Sequence, residues 1–184
     1  MHITSCSSTL QPQKARPPRT AYTAFRLLLS KALCTNRETT MIFELIAIFC
    51  CGTFFGAAVY ISLAQHPATL EAGVAVGGRF FPPMYNHAAP MQITLAATGF
   101  LAGLVAWYLS SSILWLLGAL LLILVVPITL IIIKPINDIL LNPENDPDST
   151  ETAALLKQWG STHWLRTIVS GVAFIIYLVA ALNA

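Results

Sequence analysis

The sequence predicts an all-α integral membrane protein: a four-helix up-down bundle preceded by a disordered N-terminal leader. Two observations carry this. Of 184 residues, 56% are hydrophobic and only 10% charged, where a soluble domain carries about 25% charged residues. Four apolar stretches, at 42–64, 91–109, 113–133 and 165–182, approach or exceed the ~18–20 residues needed to cross hydrocarbon. Surplus apolar surface on this scale is covered by lipid.

The first element is the leader, residues 1–40. It is rich in Ser, Thr, Pro and Arg, and carries Arg16-Pro17-Pro18-Arg19. Its six Lys/Arg against one acid give +5; residues 41–184 carry four against seven, giving −3. The net +2 is therefore a property of the leader, and no basic stripe with interleaved aromatics points to nucleic acid. Residues 21–34 are weakly amphipathic, which fits a transit segment. Met41-Ile42-Phe43-Glu44-Leu45 also reads as a natural start, with the leader an upstream extension. The transmembrane domain is then residues 41–184. With the leader, the positive-inside rule places both chain ends in the cytoplasm. Without it, Arg79, Lys134, Lys157 and Arg166 favour a cytoplasmic site, as in a multi-pass protein of a bacterial inner membrane.

Crossings one and two each carry paired glycines, Gly52 with Gly56 and Gly99 with Gly103. Glycines four apart let another backbone approach closely. They suit packing within the bundle or a homodimer seam. Ser110-Ser111-Ser112 is too short for anything but an antiparallel hairpin between crossings two and three. Trp107, Tyr108 and Trp115 around that turn, and Trp159 and Trp164 before the last crossing, read as interfacial anchors. Pro127 is expected to kink crossing three. Cys50-Cys51 point to different helix faces, and no cysteine spacing suggests a metal or a disulfide framework.

Four crossings alternate direction, so residues 65–90 and 134–164 share one membrane face. The first segment opens with His66-Pro67, where the proline is expected to end crossing one. It continues as a loop through Gly73, Gly77 and Gly78. The second opens with Lys134-Pro135-Ile136-Asn137-Asp138, where Lys134 and Asp138 are spaced to pair along a helix. A polar linker over 142–150 follows, then a short helix over 151–159 capped by Asp148 or Ser149. If the helix continues, Trp159, His163, Arg166, Thr167 and Ser170 fall on one face. That face should turn inward, because arginine facing lipid is costly.

These runs resemble the anthrone oxygenase-like membrane family. The matching pieces are Gly56-Ala57-Ala58-Val59-Tyr60-Ile61-Ser62-Leu63-Ala64-Gln65-His66-Pro67, Met84-Tyr85-Asn86-His87-Ala88-Ala89-Pro90-Met91-Gln92, Lys134-Pro135-Ile136-Asn137-Asp138, and Trp159 with His163, Arg166 and Thr167. His87 stands where many relatives are expected to carry arginine. The resemblance implies a four-helix membrane bundle. It also implies relatives that convert an anthrone to an anthraquinone without metal or flavin.

Two functions remain open on this reading. One is a membrane protein that binds a lipid, a quinone-like or small aromatic ligand, or a partner, without chemistry. The other is a cofactor-independent oxygenase for a polycyclic phenol, using neither cofactor nor metal. In the second, His163 or His66 serves as base, and Asn137 and Arg166 hold the developing oxyanion. Tyr85, Asn86, Gln92, Asp138 and Trp159 contact the substrate. A metal or haem site using His66, His87 and His163 is a lesser alternative.

Overall fold

The computed structural model describes residues 19–183, with side chains from residue 37 onward. Four helical spans are long and apolar enough to cross a membrane: Arg37–Glu71, Val74–Ser110, Ile113–Leu140 and Thr150–Leu182. No strand occurs among the described residues. This is the expected multi-pass membrane bundle, but each crossing is longer than its apolar core. Helix α1 spans Arg19–Tyr60, so helix reaches back into the segment read as leader. Residues 1–18, the rest of that segment, lie outside the described residues. By its contacts the chain divides into two units at Arg37/Glu38.

Pro67 does not end the first crossing, because a π turn absorbs it. Residues Ile61–Gln65 widen into π geometry, closed by the His66 N–H on the Ile61 carbonyl. Helix α2, His66–Glu71, then places Pro67 in its first turn, where the missing N–H has no partner to lose. The third crossing repeats the device. Helix α4, Ile113–Ile128, runs through Pro127 without breaking. A π turn follows at Thr129–Ile133, closed by the Lys134 N–H on the Thr129 carbonyl. Helix α5, Lys134–Leu140, then carries Pro135 in its first turn. Two X-Pro pairs are thus accommodated in the same way at the same end of the bundle.

The loop expected through Gly73, Gly77 and Gly78 shrinks to Ala72-Gly73. Gly73 has φ of +107°, a conformation that favours glycine. Helix α3, Val74–Ser110, includes Pro82, Pro83 and Pro90. Gly77 and Gly78 lie inside it, where a Cβ would collide with Leu156 and with the Pro147 backbone. At the other end the serine turn is as tight as predicted. Ser111 is left-handed at φ 57° and Ser112 is extended.

Helix α6, Thr150–Leu182, merges the short helix expected over 151–159 with the last crossing. Ser149 caps it by accepting the Thr152 N–H. It packs along α4. Two apolar clusters fill the bundle. One holds Ala47, Cys51, Phe54, Trp115, Leu122, Ala173 and Tyr177. The other holds Ile61, Phe81, Ile133, Ile136, Leu140, Leu156 and Trp159. Trp115 and Trp159 are thus core residues, not interfacial anchors; Trp107, Tyr108 and Trp164 do reach the surface. The glycine stripes serve the bundle itself: a Cβ at Gly52 would meet Phe174, at Gly99 Leu122, and at Gly103 Tyr177, while Gly56 stays open. Leu45, Phe49, Leu63, Ile93, Leu101, Ile131, Ile168 and Ile175 cover the outside.

Candidate functional site

Between the two apolar clusters lies a polar layer. Along α6 the inward face runs Leu156, Trp159, His163, Thr167, Ser170, Ala173 and Tyr177, all buried. The order is apolar, polar, apolar. The inward stripe expected from the sequence is therefore the face that turns inward, with Arg166 half-buried beside it.

The polar groups are tied in pairs across helices. The Trp159 Nε1–H donates to the Asn137 Oδ1 at 2.8 Å. Indole is only a donor, so the oxygen of Asn137 faces it and the amide NH2 remains available. The Arg166 guanidinium donates to the Gln92 Oε1 and stands 5.5 Å from the Phe54 ring centroid. Its Nε is buried with no hydrogen-bond partner. Among the described residues no carboxylate pairs with Arg166; Lys134 and Asp138 pair with each other elsewhere. His163 Nδ1 lies 2.9 Å from Ser62 Oγ, and Ser62 Oγ lies 3.0 Å from Thr167 Oγ1. The His163 ring stacks on Trp159 at 4.8 Å.

An open cavity of about 330 Å³, counting its mouth, is bounded by Tyr85, Gln92, Asn137, Trp159, His163 and Arg166 on its polar and aromatic sides. Ile61, Met84, Ala88 and Ala89 complete it. Donors from Asn137 and Arg166 and a histidine ring converge on an otherwise apolar space. Such a set can hold an anionic oxygen and move a proton beside it.

The predicted residues divide. Tyr85, Gln92, Asn137, Trp159, His163 and Arg166 come together. His66 does not line this cavity. It lines a neighbouring apolar one of about 260 Å³ that shares Ile61, Met84 and Trp159. Its ring lies 5.2 Å from Trp159, and Gly160 makes room for it, since a Cβ there would strike the imidazole. The His66 Nε2 is buried without a hydrogen-bond partner. Asp138 stands apart from the others. It is half-exposed, bound to Lys134 at 2.6 Å, and bounds neither cavity. Asn86 and His87 are exposed and lie outside both linings. Among the described residues no three His, Cys or carboxylate side chains cluster as a metal site would require.

A family model described as anthrone oxygenase matches residues 81–176, just over half of the chain. The chain belongs to this family. No curated protein and no solved structure matches it. The family match runs from Phe81 to Ile176, so it takes in every polar residue of the cavity. It stops short of the first crossing, which supplies Ile61 to the lining and Ser62 to His163. Sequence reasoning passed over Ser62. The available signal was a hydroxyl four residues before His66 on an otherwise apolar helix face.

Proposed function

We propose that this chain is a cofactor-independent oxygenase of a bacterial inner membrane. Its substrate is a small polycyclic phenol or anthrone-like ketone bound in the cavity between α3, α5 and α6. The single observation that supports this reading most is Arg166. A guanidinium without a carboxylate partner, held within a bundle beside a histidine, suits a ligand that becomes anionic during the reaction. The match to a family named for anthrone oxygenation supports the same substrate class.

The reaction needs no redox group on the protein. His163 removes a proton from the ring CH2 next to the conjugated ketone, and the electron pair moves to the ketone oxygen. Arg166 and the Asn137 amide neutralise that oxyanion. The electron-rich anion passes one electron to molecular oxygen, and the two radicals join in a C–O bond. The peroxide takes back the proton from His163. Loss of the second C–H proton with cleavage of the O–O bond then gives the ketone. CH2 and O2 become C=O and water, and the balance closes.

The reading without chemistry, in which the cavity holds a lipid, a quinone or a partner group, draws on a different aspect of the same residues. The Asn137–Trp159 and Ser62–His163 bonds tie α5 and the first crossing to α6 and have structural value of their own. Self-association through the glycine stripes would have to use the open face at Gly56.

The two readings separate in one experiment. Purified protein in mild detergent should consume oxygen with an anthrone above the blank rate and yield the quinone. His163→Ala should lose this activity while staying monodisperse. No consumption by intact protein, with His163→Ala only less heat-stable, would leave the binding reading.

A further inference from the structure

Ser62 and Thr167 are buried hydroxyls outside the cavity lining, and both belong to one hydrogen-bonded chain that ends on His163. We infer that they are positioning residues that fix which nitrogen of His163 carries its proton, leaving Nε2 bare toward the cavity. This rests on the proposed role of His163 as base.

The argument is a count of protons. The Thr167 hydroxyl lies 3.4 Å from the Ala58 carbonyl and 3.4 Å from the His163 carbonyl. A carbonyl only accepts, so in these contacts Thr167 donates. With its one proton on a carbonyl, the 3.0 Å contact with Ser62 is donated by Ser62. That commits the Ser62 proton in turn. The 2.9 Å contact between Ser62 and His163 is then donated by Nδ1–H. A neutral imidazole carries one ring proton, so Nε2 holds a lone pair. No protein group bonds Nε2 among the described residues, and the ring lines the cavity.

The opposite direction is worse. If Thr167 donates to Ser62 and Ser62 to Nδ1, the two carbonyl contacts drop out, and an Nε2–H faces the cavity, where no described protein group accepts from it. Only the first direction gives every proton in the chain a partner. It also presents the tautomer a base requires, in the manner in which the bond at one imidazole nitrogen selects the chemistry of the other. Ser62 thus takes part in the site without lining the cavity.

The test reads the tautomer directly. Protein labelled with ¹⁵N-histidine is prepared in detergent, and His163 is assigned by the signals missing from His163→Asn. Nδ1 should carry the proton and Nε2 should give the shift of an unprotonated nitrogen. Ser62→Ala should shift His163 toward a mixture of tautomers, and Ser62→Thr should restore the original signal. A protonated Nε2 in the unaltered protein would overturn the inference, and needs no variant to fold. In oxygen uptake, Ser62→Ala should lower kcat at least tenfold with KM within about twofold, and Ser62→Thr should recover most of it. Absence of oxygen uptake by the unaltered protein would remove the oxygenase reading while leaving the tautomer result to stand on its own.

Discussion

The two ends of the bundle use close helix approach for opposite purposes. At the serine-turn end, Gly103 and Gly118 let the Tyr177 ring lie directly against their helices. Tyr177 also packs on Trp115 at 5.3 Å and donates to the Gly99 carbonyl at 3.2 Å. The surrounding core is mostly alanine and aliphatic side chain. At the other end Gly160 likewise admits a ring, but the ring is His66. There, proline, π turns and buried amides replace the small apolar residues. One end is closed mainly by packing, with the Tyr177 hydroxyl bond to Gly99 beside it. The other is held open by directional bonds, which position groups without filling the space between them.

The largest effect should come from the closed end. Tyr177→Ala removes a fully buried ring from a tightly approached site and should cost about 3–5 kcal/mol, read as thermal or denaturant unfolding in detergent. A loss below about 1 kcal/mol there would mean the closed end is not the anchor of the bundle. Next comes a matched pair. Trp115→Phe and Trp159→Phe delete the same atoms from two buried sites. Trp115 Nε1 has no hydrogen-bond partner, whereas Trp159 Nε1 serves Asn137. Trp159→Phe should therefore be the worse of the two by about 1–3 kcal/mol, since it strands a buried acceptor. Equal losses would show that the open end is held by shape, as the closed end is. The smallest effect should follow Asp138→Asn. The Lys134–Asp138 pair is about half exposed on both sides, and such pairs contribute about 0–1 kcal/mol. Ligand affinity and turnover should be unchanged, and a large loss of either would restore Asp138 to the site.

The number and order of crossings were legible from hydropathy because lipid imposes a length on every apolar run. Their ends were not. Pro67 reads as a helix stop, and in water-facing chain it would often be. Here it follows a π turn, as Pro135 does, and the wider bonds, Ile61 to His66 and Thr129 to Lys134, carry the helix past each ring. Nothing in local composition announces a π turn. The polar stripe on α6 was legible because 3.6-residue periodicity survives in a continuous helix. Asp138 misled because it neighbours Asn137 in sequence. One step along a helix turns a side chain by about 100°, enough to move it from the cavity to the surface. Ser62 was missed because its partners are distant in sequence; only the packed bundle brings it to His163.

The depth of the cavity has a kinetic consequence. Trp107 and Tyr108 reach the surface beside the serine turn and mark one edge of the hydrocarbon. Counting ~1.5 Å per residue along α3, Gln92 lies about 22 Å from Trp107 and Tyr85 about 33 Å. The hydrocarbon layer is about 30 Å thick. With that edge at Trp107, the count would put the Arg166–Gln92 contact inside the far boundary and Tyr85 at it. If the cavity takes the proposed phenol or anthrone, a ligand that apolar would dissolve in the bilayer first and arrive sideways. Its mole fraction in lipid, not its molarity in water, would then set occupancy. Adding inert lipid at constant total ligand dilutes the two-dimensional solution and slows encounter, while adding buffer changes little.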